Sequence, residues 1–322
     1  MKPNIFANKG KFFRGNLHTH SNLSDGLLSP EEVCKRYKTE GYNFICLSDH
    51  LVGMYGYPIS DTTNYRDKNF TTILGAEVHS GAMQNGELWH LLAVGLPENF
   101  SPPNAPDFSP IKNQESGASL ARRCRESGAF VSIAHPSWSG LTIEDAKSID
   151  SAHCVEIYNH GCAVGSDRGD SSHTLDLLLS EGKKLNLIAT DDAHFHYNDH
   201  FGGWVHVKAE ENDPDLLLKS LISGEYFSSQ GPIFYNVEVD RSGAYIESSP
   251  IDRAIVVGFG SASVAVHGES MTKTKINFPE HSQSSWIRII IADSSGKKAW
   301  LNPIYEEESS FEINLTSLSY KL

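Results

Sequence analysis

The sequence predicts an α/β domain over residues 1–232 followed by a small all-β sandwich over residues 233–322. Up to about residue 230, short apolar runs alternate with helical patterns, the rhythm of repeated βα units. Beyond Ser229-Gln230-Gly231-Pro232 the apolar runs are short, alternate with period two and are separated by Gly, Ser, Pro and Asp, the pattern of a small antiparallel sandwich. Only two of the fifteen histidines, His267 and His281, fall in this second part, so the chemistry of the histidines belongs to the first.

In chain order, FFRGNLHTH reads as the first strand. Ser29-Pro30-Glu31-Glu32 then supplies an N-cap, a proline at the first helical position and the carboxylate of a capping box, and Gly41 ends that helix. FICLSDH is the second strand. Further strands fall at TILGAEVHS, LWHLLAVGL, AFVSIAHP, CVEIYN, LNLIATDD and GWVHVKA, with helices at SLARRCRES, TIEDAKSI, HTLDLLLSEG and PDLLLKSLISG between several of them. Serial units of this kind form a barrel or an open parallel sheet. Residues 97–116, rich in Pro and Asn, read as a long surface loop. In the second part the strands are YNVEVD, AYIES, AIVVGFG, ASVAVHG, TKINF, SWIRIIIAD, KKAWLN and FEINL, with no helix among them.

The 322 residues carry a formal charge of −13, which argues against a non-specific grip on a nucleic acid duplex or an anionic membrane unless a local cation reverses the field. A nucleotide stays open as a ligand. The five cysteines form no C-x-x-C pair and read as reduced, partly buried thiols. The start, MKPNIFANKGKFFRGN, lacks an apolar stretch long enough for a signal peptide and no later run approaches a membrane span, so the cytoplasm is the expected location.

Chemistry concentrates at strand ends. Side chains alternate along a strand, so His18 and His20 point the same way with Thr19 opposite. Asp25-Gly26 is a turn that folds a carboxylate back over that end, and His50 stands where the second strand stops. Glu77 ends ILGAEVHS, His90 starts HLLAVGL, His135 ends AFVSIAHP, and LNLIATDDAH delivers Asp192 and His194. Six imidazoles and three carboxylates make a mixed nitrogen and oxygen set that suits zinc, manganese or iron, and nine ligands exceed what one ion takes. His79, two residues after Glu77, reads as a residue supporting the ligands.

Together, NLHTHSNLSDG, LSDH, GAEVHS, IAHPSW and TDDAHF resemble the motifs of the PHP (polymerase and histidinol phosphatase) family, over roughly residues 12–230. The resemblance implies a distorted (β/α)7 barrel with two or three divalent metal ions. By motif, His18, His20, Glu77 and Asp192 hold the first ion, and Asp25, His50 and His194 the second; Glu77 bridges to a third held by His90 and His135. Many trinuclear members carry a histidine where Asp25 stands, which makes the second site harder and shifts it toward manganese or iron.

Adjacent cations lower the pKa of a shared water and give a hydroxide nucleophile without serine or cysteine. They also make a cationic cup that favours a small phosphorylated substrate, so the expected activity is phosphoester hydrolysis. The alternatives are a carbamate or carboxylic ester hydrolase on the same centre, as in the carbaryl-hydrolase branch, and an inactive metal-bound scaffold with the β domain as a binding module. No phosphate-loop, serine-hydrolase or zincin motif competes, and the glycine-rich FGGW and GFGS read as turns. Substrate contacts are expected from Ser137 and Trp138 after His135, from Asn159 and His160 after CVEIYN, and from Arg168 in a Gly- and Asp-rich loop.

Overall fold

The structure, a computed structural model, describes residues 4–240, 242–278 and 284–305. The expected strand FEINL and His281 lie outside the described residues. The strands are β1 Lys11–Asn16, β2 Phe44–Leu47, β3 His50–Leu51, β4 Thr71–Ala82, β5 Leu88–Val94, β6 Phe130–Ile133, β7 Cys154–Asn159, β8 Asn186–Thr190, β9 Trp204–Ala209, β10 Tyr226–Ser229, β11 Phe234–Asp240, β12 Gly243–Gly258, β13 Ser263–Asn277, β14 Trp286–Ala292, β15 Lys298–Leu301 and β16 Ile304–Tyr305.

The first part is an α/β fold on a mixed sheet. Its hydrogen-bonded order is β10-β9-β1-β2-β4-β5-β6-β7-β8. β1, β2 and β4 are mutually parallel, as are β6, β7 and β8, while β5 runs antiparallel to both neighbours. β4 and β5, consecutive in the chain, therefore form a hairpin with no helix between them. Its sequence signal is Asn85-Gly86, a dipeptide suited to tight turns; Gly86 has φ +87°. β8 returns to the end of β1: Asp191 N bonds Asn16 Oδ1, Asp192 N bonds His18 O, and His20 N bonds Ala193 O. Those bonds draw the ends of the strands into one rim.

Local signals account for the helices. Ser29 Oγ accepts from Glu32 N and Ser29 N donates to Glu32 Oε2, the reciprocal capping box of helix Pro30–Thr39. Thr142 and Asp145 do the same for helix Ile143–Ser148. The short strands β2 and β6 are buried along their whole length, which is why they read as continuous apolar runs. All five cysteines are free and buried. No helix among the described residues is long and apolar enough to cross a membrane.

The second part corrects the expected strand list. AYIES and AIVVGFG are not separate strands but the two halves of β12, and ASVAVHG and TKINF are likewise the two ends of β13. Register shifts between Glu247 and Arg253 bend the pair where Ser248-Ser249-Pro250 suggests a turn, so a bulge replaces a loop. Strands on either side of residue 232 pair with each other. β10, which precedes it, pairs antiparallel with β15, which follows it, and Ser228 and Ser229 are buried. β11–β14 do enclose an apolar cluster around Phe234, Ile246, Val256 and Ile289, but Trp286 and Trp300 are buried with Leu175, Leu178 and Leu187 of the first part.

Candidate metal centre

His18 and His20 lie just past β1, where Thr19 between them turns away to bridge Ala193 and donate its N–H to Ser48 Oγ. Asp25 follows on a turn closed by Ser24 N and Gly26 N to Ser21 O. Gly26 has to be small, because a Cβ there would sit 2.6 Å from His20 O. Asp49 pins the turn by accepting from Ser21 N, Ser21 Oγ, Ser24 Oγ and Ser60 Oγ at 2.7–2.8 Å. His50 opens β3 opposite Glu77. Glu77 stands mid-strand in β4, and His90 is the third residue of β5, because the hairpin carries both strands past the rim.

These residues meet. Glu77 Oε2 lies 3.3 Å from His18 Nε2, 3.5 Å from His20 Nε2 and 2.9 Å from His50 Nδ1; Glu77 Oε1 lies 2.7 Å from His90 Nδ1 and 3.2 Å from His135 Nε2. Asp192 Oδ1 is 3.2 Å from His18 Nε2 and 3.0 Å from His20 Nε2. Asp25 reaches His194 Nε2 at 3.3 Å and His50 Nε2 at 3.4 Å. The donor atoms fall into overlapping groups of metal-site size: His18, His20, Glu77 and Asp192; His20, Asp25, His50 and His194; and Glu77, His90 and His135. His79 joins His50 and Glu77 in another, its Nε2 2.9 Å from His50 Nδ1.

The group is charged and dry. His18, His20, Glu77 and His135 are buried, and with Asp192 they leave carboxylates that water cannot solvate. Burial opposes charge on His50, yet Glu77 and Asp25 hold its pKa up to about 10; burial likewise opposes charge on His194, which Asp25 and Asp192 hold up to about 9. Burial and the charge on His50 and His194 push His20 down to about 4. Protons on some imidazoles thus stand in for positive charge that the carboxylates require. His18 Nε2, His20 Nδ1, Asp25 Oδ1 and Glu77 Oε2 are buried without a hydrogen-bond partner, the His18 and Glu77 atoms facing one donor group and the His20 Nδ1 and Asp25 atoms facing the neighbouring one, which fits divalent cations in both. His135 and Asp192 hold positive φ, +25° and +54°, backbone strain of the kind found at functional sites.

Around the donors, two buried carboxylates escaped the sequence reading. Glu156 of β7 is fully buried and takes His18 Nδ1 at 2.6 Å, His135 N at 2.7 Å, Asn159 Nδ2 at 3.0 Å and Thr190 Oγ1 at 2.8 Å. Its signal is a carboxylate alone in the apolar strand CVEIYN. Asp191, also buried, accepts from Tyr37 OH and from Phe201, Gly202 and Gly203 N, fixing the segment that bears Asp192 and His194.

Above the donors opens a cleft of about 540 Å³. Of the expected substrate contacts, only Trp138 lines it. Asn159 lies beneath the donors, capping helix His160–Ser166 through its Oδ1 and donating to Glu156 and Asp192. Ser137 Oγ donates to Asp170 O, His160 Nδ1 pairs with Tyr158 OH, and Arg168 is exposed outside the cleft. Helix His160–Ser166 follows β7 directly and presents Gly161, Cys162, Gly165 and Ser166 to the cleft in place of Asn159, His160 and Arg168.

The PHP domain profile matches residues 16–214, well over half of the chain. The chain belongs to the PHP family. No curated protein matches it. Among solved structures it is similar to a two-domain protein from Bacteroides vulgatus containing a predicted PHP-like metal-dependent phosphoesterase, at 16% identity over 96% of both chains with a TM-score of 0.50. It also resembles a candidate metal-dependent phosphoesterase from Bifidobacterium adolescentis (13% identity, 56% of this chain and 87% of that one, TM-score 0.43). A sulfate-bound amidohydrolase from Chromobacterium violaceum is similar at 14% identity, over 56% of this chain and 87% of that one, with a TM-score of 0.40. The match to the two-domain protein spans the PHP domain and the strand-rich tail alike.

Proposed function

We propose that this PHP domain is a metal-dependent hydrolase that cleaves a phosphoester of a small molecule. The observation that carries the reading is Glu77, whose Oε2 faces the group of His18, His20 and Asp192 and whose Oε1 faces His90 and His135, as expected of a carboxylate shared between two ions. His18, His20, Glu77 and Asp192 would hold one ion, Asp25, His50 and His194 a second, and His90 and His135 with Glu77 a third. Zinc, manganese or iron suits these donors, and such ions activate water near neutral pH and polarise a phosphoryl oxygen.

The chain's own residues prepare that chemistry. Glu156 fixes the ring of His18 through Nδ1, leaving Nε2 free to face the centre. Asn159 orients Asp192, and His79 buttresses His50. Phe108 and Trp138 pack against the imidazoles of His50, His90 and His135 and limit the approach of bulk water. We read the strand ends drawn together by β1 and β8 as the rim of the distorted barrel that the family resemblance implies, with the tail as a second domain sewn onto its sheet.

The test compares an aryl phosphate with the matching aryl acetate and aryl carbamate, on protein loaded with zinc, manganese or iron and assayed for metal content. The phosphoester reading expects faster release from the phosphate, and inhibition by inorganic phosphate that weakens as salt rises. Faster turnover of a neutral ester without phosphate inhibition would transfer the reading to ester or carbamate hydrolysis. Loaded protein inert toward all three would favour a scaffold.

A further inference from the structure

Part of the cleft's lining is not explained by the donors beneath it. Phe108, Trp138 and Tyr197 line it and stand among the exposed large apolar side chains at 36%, 41% and 50% accessibility. They come from three unconnected segments: the 97–116 loop, helix Pro136–Ser139 and the loop after β8. The long loop is held down by Gly53 N to Ala105 O and Met54 N to Pro106 O, which brings Phe108 to the cleft. Its ring sits 5.0 Å from that of His50; the Trp138 ring sits 4.9 Å from that of His135. At Gly165 a Cβ would lie 2.6 Å from Tyr197 Oη, so a bare glycine makes room for the third ring.

Charge narrows what this lining can receive. Among the described residues no Lys or Arg lines the cleft, and outside the donor groups its one charged lining residue is Glu87. A second anionic group on the substrate, placed beyond the donors, would meet that carboxylate rather than a guanidinium. A flat, uncharged ring would bury apolar area against three aromatic side chains that otherwise face water.

We propose that Phe108, Trp138 and Tyr197 form the leaving-group subsite, and that the substrate is a phosphomonoester of an alcohol bearing a flat, uncharged aromatic ring. The proposal rests on the phosphoester reading above. In the reaction, the oxygen of water forms the new bond to phosphorus, the bond from phosphorus to the alcohol oxygen breaks, and a proton from the water ends on the released alcohol. Inorganic phosphate is the second product.

Calorimetric titration of the metal-loaded full chain with non-hydrolysable phosphonates tests this apart from turnover. Benzylphosphonate should bind about tenfold more tightly than cyclohexylmethylphosphonate, which matches it in size but is puckered. Trp138→Leu and Tyr197→Leu, with unchanged metal content, should each reduce that preference to about threefold or less. Benzyl phosphate should likewise show a lower KM than butyl phosphate, a pair whose leaving alcohols differ little in acidity. Equal affinity for the two phosphonates would overturn the ring subsite and leave the phosphoester reading standing. If neither phosphonate nor inorganic phosphate binds, the phosphoester reading falls and takes this inference with it.

Discussion

Glu156 and His18 form a buried carboxylate–imidazole pair, Oε1 to Nδ1 at 2.6 Å, in which neither side chain touches solvent. The pair settles which nitrogen of His18 faces the centre. Glu156→Gln keeps the size of the side chain but removes the charge that holds the Nδ1 proton. Metal affinity should fall by about 10- to 100-fold, as is usual when the partner of a liganding histidine is changed. Competition against a chromogenic chelator measures it, and an unchanged affinity would reduce Glu156 to a packing role.

Chelation should destabilise the fold and not merely silence it. The buried carboxylates Glu77 and Asp192 then depend on protonated histidines for their compensating charge, with one hydrogen bond from Asn159 to Asp192. Ions at a hundred times their dissociation constant add about 2.7 kcal/mol of stability, so EDTA should lower the melting temperature by several degrees. Scanning calorimetry with and without chelator reads the shift, and metal added back should restore it.

Acid should unfold the protein partly through His206. Burial, reinforced by the charge on Arg14, pushes its pKa from 6.5 down to about 3, and Trp204 Nε1 donates to its bare Nε2. Above the unfolded-state value both states are neutral there and stability does not depend on pH. Below it only the unfolded chain takes the proton, so stability falls by up to about 1.4 kcal/mol per pH unit until the folded state also protonates. His206→Gln should therefore flatten urea-derived stability between pH 6.5 and pH 3 by about one proton, relative to the parent. A variant with the parent's acid slope would contradict the assignment.

Arg288 in β14 is buried and makes a two-pronged contact to Asp176 in helix Ser172–Ser180, at 2.7 and 2.8 Å. Asp176→Ala strands that guanidinium and should cost about 2–4 kcal/mol, read from denaturant unfolding. Asp176→Asn should cost less, because it keeps one acceptor.

Native-state proteolysis should spare residues 228–232. Ser228 and Ser229 are buried, and β10 is paired on both sides, with β9 and β15. Cleavage elsewhere, at exposed turns such as that around Gly296, should precede it. Rapid cutting at 228–232 would mean that the seam opens readily.

The elements of the first part were legible where propensity, pattern and caps agree. Ser29-Pro30-Glu31-Glu32 predicts a helix start, and CVEIYN and LNLIATDD fall on β7 and β8. The clustering of His18, His20, Asp25, His50, His135, Asp192 and His194 follows from placing strand ends on one rim, whereas Glu77 and His90 reach it from within the β4–β5 hairpin, which strand ends alone do not foretell. What stayed hidden depends on contacts between distant segments. Nothing local in YFSS says that β10 will pair with β15, about seventy residues later. Asn159 looks like a rim residue until helix His160–Ser166 turns the chain and makes it a cap. Glu156 stands out only once the surrounding imidazoles show what it must hold.

The bonds that tie the end of β1 to the end of β8 also set an order of events during synthesis. His18 and His20 leave the ribosome early, but the partners that complete their groups, Asp192 and His194, follow more than 170 residues later. Through that interval His18, His20 and His50 are an incomplete donor set. The set becomes complete only when the segment after the eighth strand arrives. On the metal reading proposed above, an ion that needs all four donors of the first group would therefore be held only late in the formation of the domain.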